Sequence, residues 1–255
     1  MNETLHLSPQ MPVPAGPPGL CLRQVHKAFG SNQVLRGLDL TAQPGRVYAL
    51  LGPNGAGKST SLGIALGLQR ADAGAVEILG RPWSRDLLSH VGASLNGPAF
   101  FPQLSAPRNL LVHARLTGTD PARISPLLAQ VGLDGAGRRR AGRFSTGMKV
   151  RLALAMALLT DPEVLVLDEP QNGLDPQGVI ELRQLLRSLA GAGRTVVVSS
   201  HQLGEMARVA DDVGVLVAGR LAYEGPLSGL ADPDDGPGLE AAYLALVQGT
   251  GVSPR

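Results

Sequence analysis

Between residues 52 and 60 the chain reads Gly52-Pro53-Asn54-Gly55-Ala56-Gly57-Lys58-Ser59-Thr60, which satisfies the pattern G-x-x-x-x-G-K-[ST]. Glycines there permit a tight loop whose backbone N–H groups converge on phosphate oxygens, at the positive end of the helix that follows. Lys58 then sets a point charge on the β- and γ-phosphates of a nucleotide, and the Ser59 hydroxyl suits coordination of Mg²⁺. A purely structural glycine turn is the plain alternative, and it leaves Lys58 without a role. Lysine is scarce: Lys27, Lys58 and Lys149 are the only three among 23 basic residues. A compact ammonium fits between phosphates where a forked guanidinium does not, so Lys58 reads as the least replaceable of the 23.

Further along, residues 164–169 (VLVLDE) end an apolar run on two adjacent carboxylates. Ligands of α/β sheets sit at the C-terminal ends of the strands. Asp168 therefore suits a contact to Mg²⁺ through water, and Glu169 the polarisation of an attacking water. His201 lies just past another apolar run, where an imidazole can donate a hydrogen bond to a γ-phosphate. The other histidines, His6, His26, His90 and His113, read as packing or surface groups. At Phe144-Ser145-Thr146-Gly147-Met148-Lys149 a long amphipathic helix opens and runs through Leu159. Ser145 and the free N–H groups of that helix start form a second anion site by the same physics as the first. Two such sites are hard to explain if one nucleotide serves one subunit. A phosphate loop alone does not discriminate, since adenylate kinases, GTPases and recombinases share it.

Hydrophobic patterning predicts the elements that carry these groups. Residues 20–26 and 38–42 alternate like half-buried antiparallel strands. Residues 46–51, 164–168, 195–199 and 213–217 hold short continuous apolar runs, as in strands of a parallel sheet covered by helices on both faces. From 105 to 143 weak helical patterns are broken by Pro107, Pro121 and Pro126 and close near Arg138, Arg139 and Arg140. That stretch predicts a helical subdomain inserted at about 97–160, with the triple arginine at a solvated helix end. Residues 219–224 (GRLAYE) predict a closing hairpin, and 239–247 a short helix packed on the core. Residues 1–19, with five prolines, read as a disordered leader, and 249–255 as a flexible tail.

Composition narrows the function classes. A chain of 255 residues with 44% hydrophobic content can bury a large core. A formal net charge of +2 argues against a polybasic partner for nucleic acid. Cys21 is the sole cysteine, which excludes an intramolecular disulfide and a thiolate metal cluster. The longest run without Asp, Glu, Lys or Arg, residues 87–107, contains His90, Asn96, Gln103 and three prolines, and hydrocarbon does not tolerate that. The expectation is a soluble, cytoplasmic protein.

From about residue 20 to 247 the chain resembles an ATP-binding cassette (ABC) ATPase. GPNGAGKST resembles the Walker A motif, VLVLDE the Walker B, and RFSTGMKVRLALA the family signature that usually reads LSGGQ. QNGLDP matches the D-loop and places Asp175, while SSHQLGEM matches the switch histidine, His201. Phe29 stands before Gly30 where the family usually has a tyrosine that stacks on adenine. The resemblance implies an α/β fold: a P-loop NTPase core with a mainly parallel sheet, an antiparallel β subdomain and an inserted α-helical subdomain. It implies hydrolysis of ATP with Mg²⁺, with Glu169, His201 and Lys58 catalytic and Ser59, Asn96 and Asp168 at the metal. Phe29, Gly52, Asn54, Gly55, Ala56, Gly57, Lys58, Ser59, Thr60 and Asn96 would bind nucleotide together with Ser145, Gly147 and Asp175. It also explains the second anion site. Two such subunits, identical or merely similar, pair head to tail, and each ATP lies between one P-loop and the partner's signature.

Three departures mark this sequence. Asn96 stands where the family has a glutamine that contacts Mg²⁺ and couples to the membrane subunit; it keeps the amide but is shorter by about 1.5 Å. Phe29 preserves stacking and loses a hydroxyl. Thr146 and Met148 vary the signature, while Ser145 and Gly147 remain. The segment Asn96-Gly97-Pro98-Ala99-Phe100-Phe101, with FSTGMK and NGLDP, resembles the subgroup exporting bacitracin-like or lantibiotic peptides, which often carries Glu at position 96. The implied role is the ATP-hydrolysing subunit on the inner face of a cell membrane, driving a separate transmembrane permease, with no nucleic-acid partner. Two alternatives stand beside it. A soluble family member acting in DNA repair or translation would typically add a long coiled coil or a second cassette. A non-hydrolysing regulatory subunit would lack some of Lys58, Asp168, Glu169 and His201.

Overall fold

Apolar runs with no polar alternation become strands buried on both faces, and they form the centre of this molecule. The computed structural model describes residues 16–95, 99–232 and 234–249. In chain order, β1 (Leu20–Phe29) and β2 (Asn32–Ala42) make an antiparallel hairpin, and β3 (Val47–Leu51) leads through the phosphate loop into α1 (Lys58–Ala65). Next come β4 (Ala73–Ile78), β5 (Arg81–Pro82) and β6 (Val91–Ser94). A helical stretch holds α2 (Ala106–Thr117), α3 (Ile124–Gln130) and α4 (Thr146–Leu158). The chain continues through β7 (Val164–Asp168), α5 (Pro176–Gly191), β8 (Thr195–Ser200) and the short α6 (Leu203–Met206). It ends with β9 (Asp212–Val217), β10 (Arg220–Pro226), α7 (Leu227–Leu230) and α8 (Gly236–Gly249).

Two sheets result. The smaller is antiparallel, in the order β2-β1-β4-β5. The larger runs β10-β9-β3-β8-β7-β6 and is parallel throughout except for β10, which closes a hairpin with β9. Its strands have a core on either side. Val47, Ala49 and Leu51 of β3 join a cluster with the helices α4 and α5, whereas Tyr48 and Leu50 join one with α1 and the smaller sheet. The same split divides Leu165 and Leu167 from Val164 and Val166 on β7, and Val196 and Val198 from Val197 on β8. Buried polar ties cross between layers. Tyr48 Oη donates to Glu224 Oε1 at 3.0 Å, and the same oxygen accepts the Thr41 N–H at 2.7 Å. Burial pushes the Glu224 carboxyl up despite those donors.

Several expectations are refined. The hairpin strands extend beyond 20–26 and 38–42, because backbone pairing continues through polar positions such as Lys27 and Gln33 that break the alternation. The helix expected to be amphipathic from Phe144 has no buried residue over 146–151 and is almost wholly buried after that. Leu152–Ala155, Ala157 and Leu158 are buried on nearly every side, because α4 is enclosed by β6, α2 and α3. Arg138, Arg139 and Arg140 are exposed, but they lie between two 3₁₀ turns, Asp134–Ala136 and Ala141–Arg143, and not at the end of an α-helix. Of the expected leader, 1–15 lies outside the described residues, while Gly19 is already tied to Ala42 and Leu79 by backbone hydrogen bonds. Residues 250–255 of the tail also lie outside them. Among the described residues no helix is long and apolar enough to cross a membrane.

Gly92 sets how closely α4 approaches the sheet. A Cβ at that position would fall 2.0 Å from the Ala157 carbonyl oxygen and 2.8 Å from Pro162 Cγ, so α4 rests on bare backbone. Gly92→Ala is expected to destabilise the fold by about 1–3 kcal/mol through overpacking, read as a lower urea midpoint. An unchanged midpoint would contradict this packing.

Candidate functional site

Strands β3, β7 and β8 are neighbours and parallel, so their C-terminal ends deliver residues to one edge of the sheet. From β3 the chain enters the loop 52–57. At Gly57 φ is +109°, and a Cβ would meet Leu35 Cδ2 at 2.7 Å, so the turn into α1 requires glycine for both conformation and space. Gly57 is the N-cap of α1 and supplies no side-chain cap, which leaves the N–H groups of the first turn for an anion. Gly52 and Ala56 are buried within the loop, and Asn54 and Gly55 are exposed at its tip. Lys58 is only 5% exposed, yet its ammonium is well supplied. It donates to the carbonyls of Gly52 at 2.8 Å and Pro53 at 3.2 Å, and lies 3.7 Å from Glu169 Oε1. Burial pulls the Lys58 pKa down, against the opposing pull of Glu169 and Asp168. Ser59 is exposed and Thr60 half-buried beside it.

β7 contributes the two carboxylates. Asp168 is half-buried and accepts a hydrogen bond from the Ser199 hydroxyl on β8. Glu169 turns out of the strand with φ +48°, a conformation uncommon for a residue with a side chain. Its N–H donates to both the carbonyl (3.2 Å) and the hydroxyl (3.0 Å) of Ser199. Its Oε2 accepts from Asn172 Nδ2 at 2.6 Å and lies 3.1 Å from His201 Nδ1. Burial works to raise the Glu169 pKa, but Asn172, His201 and Lys58 together hold it below the ordinary carboxylate value. An ammonium, a carboxylate and an imidazole thus meet at one strand edge, where they can hold a phosphate and orient a water against it.

The signature and D-loop segments meet as well. Ser145 is exposed and caps α4, its Oγ accepting the Met148 N–H at 3.3 Å. Gly147 is partly exposed one residue into the helix. Gly173 lies so close to Thr146 that a Cβ there would sit 2.7 Å from Thr146 Cγ2. Asp175 caps α5 by accepting the Gly178 N–H at 2.8 Å. A cavity of about 520 Å³ joins these parts, bordered by Ser59, Thr146, Lys149, Asp168, Glu169 and Asn172 among others. Lys149, which the sequence leaves with no stated role, therefore faces the site.

Phe29 ends β1 and is exposed, with Lys27 Nζ 5.3 Å from its ring centroid. Asn96 lies outside the described residues. His90 pairs with Glu163 at 2.8 Å on the surface, in keeping with a surface reading. Sequence reasoning missed Ser199 and Asn172. Both had a signal: a pair of hydroxyls, Ser199-Ser200, closes an otherwise apolar strand directly before His201, and Asn172 stands three residues past Glu169.

Comparison with known proteins gives consistent results. The family model described as ABC transporter matches residues 35–172. The lantibiotic transport ATP-binding protein SrtF of Streptococcus pyogenes is 40% identical over 205 residues, covering 80% of this chain and 90% of that protein. The bacitracin transport ATP-binding protein BcrA of Bacillus licheniformis is 39% identical over 209 residues, covering 80% of this chain and 68% of that protein. Among solved structures, an ATP-binding subunit of an ABC transporter superposes with a TM-score of 0.78 at 26% identity, covering 89% of this chain and 98% of that one.

The close packing around Lys58 Nζ makes a charge-conserving change informative. Lys58→Arg is expected to weaken ATP binding by about 2 kcal/mol, roughly thirty-fold, the scale of one charge-assisted hydrogen bond. Titration with a fluorescent ATP analogue measures this, and parental affinity would show that the ammonium is not where phosphate binds.

Proposed function

Because the chain belongs to the ABC transporter family, as a subunit that binds and hydrolyses ATP, we propose that it drives a separate membrane permease exporting a peptide antibiotic of the lantibiotic or bacitracin kind. The names of the relatives SrtF and BcrA support that cargo. The observation that carries the hydrolytic assignment is the convergence of Lys58, Glu169 and His201 at one strand edge. Lys58 and the N–H groups of the loop Gly52, Asn54, Gly55, Ala56 and Gly57 bind the phosphates, with Ser59 and Thr60 beside them at the start of α1. Glu169, held ionised at neutral pH, orients the attacking water and takes its proton. His201 donates to the γ-phosphate, and Phe29 offers a face to the adenine.

Mg²⁺ fits the donors present. Ser59 and Asp168 are hard oxygen ligands bordering the same cavity. Among the described residues no group of three or more His, Cys, Asp or Glu gathers to hold a metal by itself, as suits an ion that keeps waters and phosphate oxygens. Ser59 and Asp168 would hold it, with Asn96 as a further donor. Bound there, Mg²⁺ neutralises charge on the transferring phosphoryl group.

Ser145 and Gly147 are open to solvent in this chain and serve the γ-phosphate held by a second copy or a similar cassette in a head-to-tail dimer, with Asp175 near the shared interface. The permease docks through a cytoplasmic helix in the groove of about 620 Å³ between β6, α2 and α4, whose walls include Leu88, Val91, His113 and Met156. Docked in this way, the chain would lie at the cytoplasmic face of the membrane.

Glu169→Gln tests the core of this reading. Turnover is expected to fall at least about a hundredfold, the contribution of a positioned base, while an ATP-bound dimer accumulates on size-exclusion chromatography with light scattering. Hydrolysis at the parental rate would remove Glu169 from its assigned role.

A further inference from the structure

The two carboxylates at the end of β7 need more than their strand to aim them, and a single hydroxyl on the next strand reaches both. In the parallel pairing of β7 with β8, Asp168 stands directly opposite Ser199. Ser199 shares its side of the sheet with Val197, as Asp168 shares its own with Val166, and both valines belong to one core cluster. The register therefore makes Asp168 and Ser199 a cross-strand pair on one face. Ser199 is 0% exposed, so water cannot replace what its hydroxyl does.

That hydroxyl has one proton and two lone pairs. It donates to Asp168 Oδ1 and accepts the Glu169 N–H at 3.0 Å, a bond that the Ser199 carbonyl shares at 3.2 Å. The accepted N–H belongs to the residue whose φ is +48°, so the bond pins the unusual turn that swings the Glu169 carboxylate toward Lys58 and His201. Ser200, on the opposite face, is engaged elsewhere: its Oγ accepts from Gln171 Nε2 at 2.6 Å and from the Gln202 N–H at 2.9 Å. The two hydroxyls thus have separate duties, and only that of Ser199 touches the carboxylate pair.

We infer that Ser199 is a positioning residue for ATP hydrolysis, a hydroxyl that fixes the metal-side carboxylate of Asp168 and the backbone of Glu169 at once. The inference rests on the assignment of Glu169 as the group that orients water. Ser199 touches no reacting atom. It acts by keeping two carboxylates from rotating independently, and partners of this kind cost about 10–100-fold in activity when removed.

The test compares Ser199→Ala, Ser199→Thr and Glu169→Gln in the full chain, measuring kcat and KM for ATP, affinity for a fluorescent ATP analogue, and the thermal midpoint. Ser199→Ala is expected to lower kcat about 10–100-fold, with KM and analogue affinity within about twofold, because the phosphate loop is untouched. Ser199→Thr, which keeps the hydroxyl, is expected to recover most of the lost kcat. Should Ser199→Ala fail to fold, Ser199→Cys, slightly larger and only a weak donor and acceptor, is read the same way. Parental kcat in Ser199→Ala beside an inactive Glu169→Gln overturns the positioning role and leaves the Glu169 assignment standing. An active Glu169→Gln overturns that assignment instead, and the positioning role with it. Loss of kcat together with equal loss of analogue affinity, or no recovery in a folded Ser199→Thr, also overturns it, since a general structural defect would then be the cause.

Discussion

Burial of β3, β7 and β8 on both faces is the constraint from which the rest of the molecule follows. A strand with a core on each side has no position for a charged side chain along its length. Polar chemistry is therefore driven to the strand ends, and because the three strands are parallel neighbours, their C-terminal ends fall together. The phosphate loop, the Asp168–Glu169 pair and His201 come from three distant parts of the sequence, yet one sheet edge collects them. The helices that cover the faces also fix the approach of the signature segment. α4 can lie against β6 because Gly92 presents no side chain to it, and the register of that contact decides where Thr146 and Lys149 border the cavity.

Much of this was legible in the sequence because it was encoded locally. Loop glycines, a lysine and a hydroxyl in fixed spacing specify their own geometry, and unbroken apolar runs specify a doubly covered strand. What was not legible depended on pairing between distant segments. Ser199 is an ordinary serine until the β7–β8 register sets it opposite Asp168. Asn172 is an ordinary loop residue until the left-handed turn at Glu169 brings a carboxylate within 2.6 Å. The amphipathic reading of α4 failed for a similar reason, since helices that cover its outer side lie elsewhere in the sequence. The exposed position of Arg138–Arg140 was read correctly, while the turns flanking it are too short to leave a periodic signal.

The excess of arginine over lysine has a partial structural account. Arg23 grips Glu77 through two nitrogens at 2.9 and 3.2 Å, and Arg46 grips Asp212 at 2.5 and 2.7 Å. Arg123 and Arg194 converge on Asp161, and Arg151, Arg183 and Arg187 pair with Glu181, Glu205 and Asp211. Forked contacts of the first kind need a planar guanidinium. Most of the pairs are at the surface, where each adds little to stability. Asp212 differs, being 1% exposed, so its carboxylate depends on Arg46 for charge balance at the start of β9.

On the proposed role of Glu169, its left-handed backbone, with φ +48°, sets function against robustness. Holding a residue with a side chain in that region costs on the order of 1 kcal/mol or more, and glycine would adopt the same φ freely. Loss of the carboxylate and relief of the backbone thus lie along the same substitution. With Glu169 in its proposed role, variants selected for folding alone are free to lose the carboxylate here, and turnover with it.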